Sequence, residues 1–289
     1  MLTGDPPFTG STAQAIVGKV LTEKPAGIRA RRDRVPAAVE QAVLTALEKL
    51  PADRFASAAE FNHALTSDYA PSRTTVLEAQ GARVIAPDLP SMGADTTPAA
   101  EVTLESWAGF IAKLAPRDLA CVLVGHSLGG AVISRVAELI PERIRTLVYL
   151  SAYLLPDGAT VAETARADVE SLIAPNMVPV LRGVTCALRD DVAGDTFFGT
   201  CNHEDREYAV ARLDAQPIKP LVTPLEVSAT RFGAVPRAYI ETTRDRAVSL
   251  TAQRQMQAKL PCAPVFTLDS DHSPFLSQPE ALARILISI

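Results

Sequence analysis

CVLVGHSLGGAV, residues 121–132, sets a serine between two glycines directly after an apolar run. Strand-forming residues lead in (ACVLVG, 120–125) and helix-forming residues lead out (AVISRVAEL, 131–139). A strand that turns sharply into a helix at G-x-S-x-G lifts a serine hydroxyl above the edge of a parallel sheet. The turn is crowded, so its neighbours must be small, and Gly125 and Gly129 meet that demand. Ser127 therefore reads as a nucleophile. The plainer alternative is a tight strand-to-helix turn with a solvent-facing serine.

Outward from this turn, apolar runs alternate with helical patterns: ARVIAP (82–87), TLESWAGFIAKLA (103–115), the elbow itself, then IRTLVYLSAY (144–153). Farther on come PRAYIET (236–242), a helix through LTAQRQMQAKL (250–260), APVFTL (263–268) and a closing helix begun by Pro279. Strands alternating with helices imply βαβ units, hence an α/β fold with a mainly parallel sheet. Residues 154–235 break the alternation and read as a helical cap over the site.

Composition narrows the function. The chain has 289 residues, 47% of them hydrophobic, with a net charge of -5 and a pI of about 5.5. An acidic balance argues against nucleic acid or an anionic membrane as partner. Apolar runs such as residues 120–124 fall far short of the roughly 20 residues a membrane span needs. The opening MLTGDPPFTG lacks the basic and apolar regions of an export signal, so a cytoplasmic setting with reduced thiols is expected. Cys121, Cys186, Cys201 and Cys262 show no C-x-x-C spacing, and a Cys186–Cys201 disulfide is the alternative to free thiols. His63, His126, His203 and His272 are scattered without metal-ligand spacing, and CNHED (201–205) reads as a polar loop. No metal or other cofactor is expected.

A serine hydroxyl attacks only when a base takes its proton and an acid orients that base. In this architecture the chain order is serine, acid, histidine. His272 follows the strand APVFTL, where a loop brings an imidazole over the sheet edge. His63, His126 and His203 are worse placed to serve as the base. Asp245 follows PRAYIET and is the leading candidate for the acid; Asp269 and Asp271 are its rivals, close enough to His272 in sequence to be shaping its loop instead. Candidate substrate contacts are His126 beside the serine and Phe197 and Phe198 in DTFFGT (195–200), which read equally well as ordinary cap-core aromatics. Few aromatics and a single Trp suggest a modest apolar pocket suited to short esters.

Together, VIAPDLPSMGADTT, VLVGHSLGGAV, YIETTRDRAV and DHSPFLSQPEAL resemble the small-ester branch of the α/β-hydrolase superfamily, over residues 76–289. That branch holds plant methyl-ester esterases, bacterial aryl esterases and hydroxynitrile lyases. The resemblance implies Ser127 as nucleophile, Asp245 as acid and His272 as base. It implies a small ester as substrate. The lyases carry a lysine beside the base histidine; Ser273 stands there, which favours ester hydrolysis over the lyase alternative. Ser91 occupies a position where the branch usually has glycine.

Residues 1–67 are of another kind. Ser11 or Thr12 caps a helix with Ile16, Val17, Val20 and Leu21 on one face, and Pro36 opens a second helix with Val39, Val43, Leu47 and Leu50. SAAEF makes a capping box of Ser57 and Glu60. Short amphipathic helices of this sort need another body to pack on. LTGDPPF and PADRF resemble the closing helices of a bacterial serine/threonine protein kinase, without its phosphate loop, catalytic loop or metal-binding aspartate. In that family the arginine of PADRF pairs with an upstream glutamate, so Arg54 is expected to lack its usual partner. Residues 68–75 read as a linker.

The hydrolase resemblance thus starts at VLEAQGARV (76–84), after the family's first strands and its H-G loop. The expected sheet lacks those strands, and the family's intervening strand is missing between ARVIAP and CVLVG. The two either pair directly or something else fills the slot. The oxyanion hole keeps its Leu128 backbone N–H and loses the donor from the loop, a deficit of about 3 kcal/mol. A water or another N–H completing the hole, the kinase-like helices covering the bared surface, and a homodimer burying the exposed sheet are all expectations of this reading. A catalytically impaired chimera or scaffold is the alternative from outside enzymology.

Overall fold

The computed structural model describes residues 6–10, 12–29, 31–32, 35, 37–50, 54–55, 57–58, 61, 65, 77–78 and 81–289. It divides into two units, residues 1–84 and 85–289. In the second, β1 (Cys121–His126), β2 (Ile144–Leu150), β6 (Arg237–Thr242) and β7 (Val265–Leu268) form one sheet in that order, every pair parallel. The inner strands β2 and β6 are largely buried and read as near-continuous apolar runs, whereas β1 and β7 at the edges are partly exposed. Alternate residues serve opposite layers. Leu147, Tyr149 and Tyr239 join Trp107 of α3 (Leu104–Leu114), Val136 of α4 (Gly129–Leu139) and Met256 of α10 (Leu250–Lys259). Val148, Leu150, Ala238 and Ile240 join Leu282 of α12 (Pro279–Ser288), which follows the short α11 (Pro274–Ser277). The two tyrosines stack at 6.2 Å and spend their hydroxyls inside the core, Tyr149 on Ser134 and Tyr239 on Ala152.

ARVIAP departs from expectation. Residues 82–89 hold no strand, Ile85 is exposed, and β1 pairs with β2 alone among the described residues. An extended apolar segment becomes a strand only where a neighbour takes its N–H and C=O groups, and none does so here.

The cap is also less helical than expected. Besides α5 (Val161–Ala167), α6 (Ile173–Asn176), α7 (Asp190–Phe197), α8 (His203–Val210) and α9 (Lys219–Val222), it contains an antiparallel sheet ordered β3 (Met177–Val180), β4 (Thr185–Leu188), β5 (Gln216–Pro217). Strands this short give periodicity too little length to register. CNHED is no loop: Asn202 accepts from the Asp205 N–H at 2.9 Å and caps α8, as asparagine favours. None of the four cysteines is in a disulfide.

In the first unit, Thr12 accepts from the Ala15 N–H at 3.1 Å and caps α1 (Ala13–Thr22); α2 spans Ala37–Ala46. Ile16, Val17 and Val20 of α1 and Leu50 beyond α2 are exposed, whereas Val39, Val43 and Leu47 are half-buried. Arg54 donates to the backbone carbonyls of Glu48 (2.7 Å) and Lys49 (3.2 Å). Ser11, Pro36, Glu60, His63 and the linker lie outside the described residues.

Candidate active site

At the end of β1 the chain reverses through Ser127, whose φ is 53°, and enters α4. A serine in this left-handed region costs roughly 1–3 kcal/mol, which surrounding bonds must hold in place. They are backbone bonds. The Ser127 N–H donates to the Leu150 carbonyl (3.3 Å), and the Ser127 carbonyl accepts from Gly130 and Tyr153, both at 3.0 Å. Close approach dictates two glycines. A Cβ on Gly125 would sit 2.5 Å from the Gly129 carbonyl oxygen, and one on Gly130 would sit 2.5 Å from that of Tyr153. Gly129, singled out by the motif, has open space where its Cβ would lie. The second steric requirement is therefore Gly130, which the motif does not mark because the crowding oxygen arrives from beyond β2.

Beyond β6 and β7 two loops converge. His272, 2% exposed, donates from Nδ1 to Asp245 Oδ2 at 2.8 Å. Asp245 is equally enclosed and is met by donors on both oxygens: Thr242 Oγ1 (3.1 Å) and, at 3.5 Å, Gln253 Nε2 on Oδ2, with the Ala247 and Val248 N–H groups (2.7 and 2.9 Å) on Oδ1. These donors replace the water a buried carboxylate gives up. Behind them, Ser151 donates to Thr242 at 2.8 Å, since the threonine proton is committed to Asp245. Gln253 is fully buried, accepts from the Thr242 N–H and donates to the Val248 carbonyl. No sequence pattern links Ser151, Thr242 and Gln253.

His126 faces the base. Its Nε2 lies 2.7 Å from the His272 carbonyl; a carbonyl only accepts, so that nitrogen carries the proton. The two imidazoles are 4.4 Å apart, and Phe275 meets His126 edge-on at 5.1 Å. Desolvation first, and the neighbouring imidazole second, hold the His126 pKa well below the usual histidine value. Expected as a substrate contact, it stands as a prop under the His272 loop.

Phe197, at the end of α7, brings its ring 5.6 Å from that of His272, whereas Phe198 is buried behind it at 6.0 Å. The rival acids lie elsewhere. Asp269 takes a two-toothed pair from Arg244 at the surface, and Asp271 points into the cap. His203 is exposed beside Glu207. Among the described residues, neither the Ser127 hydroxyl nor the Leu128 N–H has a hydrogen-bond partner, so Ser127 and His272 are not bonded to each other. Such contacts are commonly long before substrate arrives. Among those residues too, no three His, Cys, Asp or Glu side chains are grouped to hold a metal ion, and no helix is long and apolar enough to cross a membrane.

A family model described as the alpha/beta hydrolase family matches residues 55–285, beginning ahead of residue 76, where the motifs start. The pyrethroid hydrolase of Sphingobium wenxiniae is 32% identical over 221 residues, 73% of this chain and 79% of that protein. Putative methylesterase 11, chloroplastic, of Arabidopsis thaliana is 30% identical over 177 residues, 58% of this chain; the match spans 45% of the methylesterase. Among solved structures, a pyrethroid hydrolase from Sphingobium faniae JZ-2 superposes with a TM-score of 0.65 at 32% identity, covering 74% of this chain and 88% of that one. Polyneuridine aldehyde esterase gives 0.66 at 24% identity over 74% of this chain and 91% of that one, a likeness of fold.

Proposed function

The chain belongs to the alpha/beta hydrolase family, and from that premise we propose that it is a serine esterase acting on small carboxylic esters. The observation that carries the proposal is the buried His272–Asp245 bond at 2.8 Å, together with a serine forced to positive φ at the end of β1. Asp245 fixes the imidazole with Nδ1 protonated, which leaves Nε2 as the lone-pair nitrogen for general-base work. His272 Nε2 takes the Ser127 proton as Oγ adds to the ester carbonyl. The developing oxyanion is met by the Leu128 N–H. The imidazolium then gives its proton to the departing alkoxide, leaving an acyl-serine. Water, deprotonated by the same imidazole, adds to the acyl carbon, and the acid leaves as Ser127 recovers its proton. A water or a further backbone N–H supplies the second donor to the oxyanion. No cofactor, nucleic acid or membrane enters this scheme.

Phe197 lines the entrance beside the base and favours short acyl, aryl or methyl esters. The named activities of the pyrethroid hydrolase and the methylesterase point to the same bond type. Ser273, buried next to the base, offers no cation to a cyanide leaving group, which weighs against the lyase alternative. Residues 154–235 act as the cap of a hydrolase domain over 76–289, and the kinase-like helices of 1–67 contribute no chemistry. The test is turnover of p-nitrophenyl acetate. Ser127→Ala should lower kcat by about 10⁶-fold, as removal of such a nucleophile does elsewhere. Equal rates for the two proteins would leave only a non-catalytic role.

A further inference from the structure

Asp271 sits immediately before the proposed base, is 1% exposed, and has no place in the proton relay. Its two carboxylate oxygens serve two different parts of the molecule. Oδ1 accepts from the Ser273 N–H (2.9 Å) and from one hydroxyl of the Ser270–Ser277 pair, which lie 2.7 Å from each other and 3.4 and 3.3 Å from that oxygen, all on the base loop and the helix after it. Oδ2 accepts from the Thr200 N–H (2.7 Å) and the Cys201 thiol (3.6 Å), both in the cap. A return bond runs from the Asp271 N–H to Thr200 Oγ1 at 3.2 Å. Three residues before Thr200 stands Phe197, whose ring faces the His272 imidazole.

We propose that Asp271 is a positioning residue, a clamp that ties the cap to the base loop so that Phe197 and His272 form one fixed wall of the substrate site. The reading of that wall as part of an ester site rests on the proposed esterase function; the clamp does not. A carboxylate suits the task because it only accepts, and every group facing it from either side is a donor. Hydrogen bonds to a charged group are also the stronger kind. An amide in its place turns an NH₂ towards one set of donors, whichever way it lies. One side of the clamp must then let go.

The experiment compares wild type, Asp271→Asn and Thr200→Val in two assays. The first needs no turnover: the rate of Cys201 alkylation by iodoacetamide, read by peptide mass. Both variants should label faster, Asp271→Asn by about tenfold or more, the effect of losing one charge-assisted hydrogen bond. Thr200→Val keeps the carboxylate and should move less in the same direction. Acceleration in Asp271→Asn alone would assign the effect to charge beside the thiol and overturn the clamp, as would unchanged labelling in both. The second assay is aryl-ester kinetics, where KM should rise by about tenfold with kcat nearly held, the pattern of lost binding uniform to ground and transition states. A fall in kcat with KM unchanged would put Asp271 in the relay instead. Faster labelling in both variants of a protein that hydrolyses no ester would keep the clamp and remove the esterase. Should Asp271→Asn fail to fold, Thr200→Val decides both assays alone.

Discussion

The serine turn and the loops that carry Asp245 and His272 are built by different means. Ser127 is held by the main chain: three backbone hydrogen bonds, a positive φ, and two glycines with no room for a methyl group. Asp245 is held by both kinds of group: the Ala247 and Val248 N–H groups take one oxygen and the Thr242 and Gln253 side chains the other, with Ser151 behind Thr242, while His126 bonds the His272 carbonyl. A main-chain device compresses into a short motif, because the residues that matter are adjacent. A side-chain device draws on residues a hundred positions apart and leaves no such signature.

That contrast can be broken by substitution, and apart from loss of the serine hydroxyl itself the largest effect belongs to Asp245. Asp245→Asn keeps the shape but offers an amide to His272 Nδ1, favouring the wrong tautomer; kcat for p-nitrophenyl acetate should fall on the order of 10³- to 10⁴-fold with KM little changed. If the fall is under tenfold, the pair is structural only. The main-chain half is probed by two alanines four residues apart. Gly125→Ala drives a Cβ to 2.5 Å from the Gly129 carbonyl and should cost about 1–3 kcal/mol in urea unfolding, a penalty typical of overpacking. Gly129→Ala enters open space and should stay within about 1 kcal/mol of wild type, helped by alanine's helix preference. Equal losses would show that the motif glycines matter through conformation and not through crowding.

The smallest effect concerns His126. Its folded pKa is depressed, so the unfolded chain gains a proton near pH 6.5 that the folded chain refuses until lower pH. The stability this group contributes is complete above that value and declines as pH falls, by at most about 1.4 kcal/mol per pH unit. His126→Gln lacks the titrating group, so its unfolding free energy should lose less than wild type between pH 7 and pH 5. Parallel pH profiles would remove His126 from the account.

Order along the chain made the three central side chains legible: a serine after one strand, a carboxylate after PRAYIET, a histidine after APVFTL. The strands β2 and β6 were equally plain, since burial on both faces makes their runs continuous, whereas β7 is partly exposed. What escaped depends on who arrives as neighbour. ARVIAP has the composition of a strand without a ladder partner among the described residues. Gly130 is needed because the Tyr153 carbonyl crosses over it. The cap sheet hides in strands of two to four residues, and Asp271 looked like a rival acid because proximity in sequence says nothing of which way a carboxylate turns.

Among the described residues β1 is the last rung of its ladder, with Val124 exposed on it. An unfilled rung is a template for any extended peptide that drifts alongside, whether a stray terminus or a second molecule. Such a visitor would add its ladder to the very strand that leads into Ser127. On the proposed assignment of Ser127, any substitution that blunts this edge also alters the strand that carries the nucleophile.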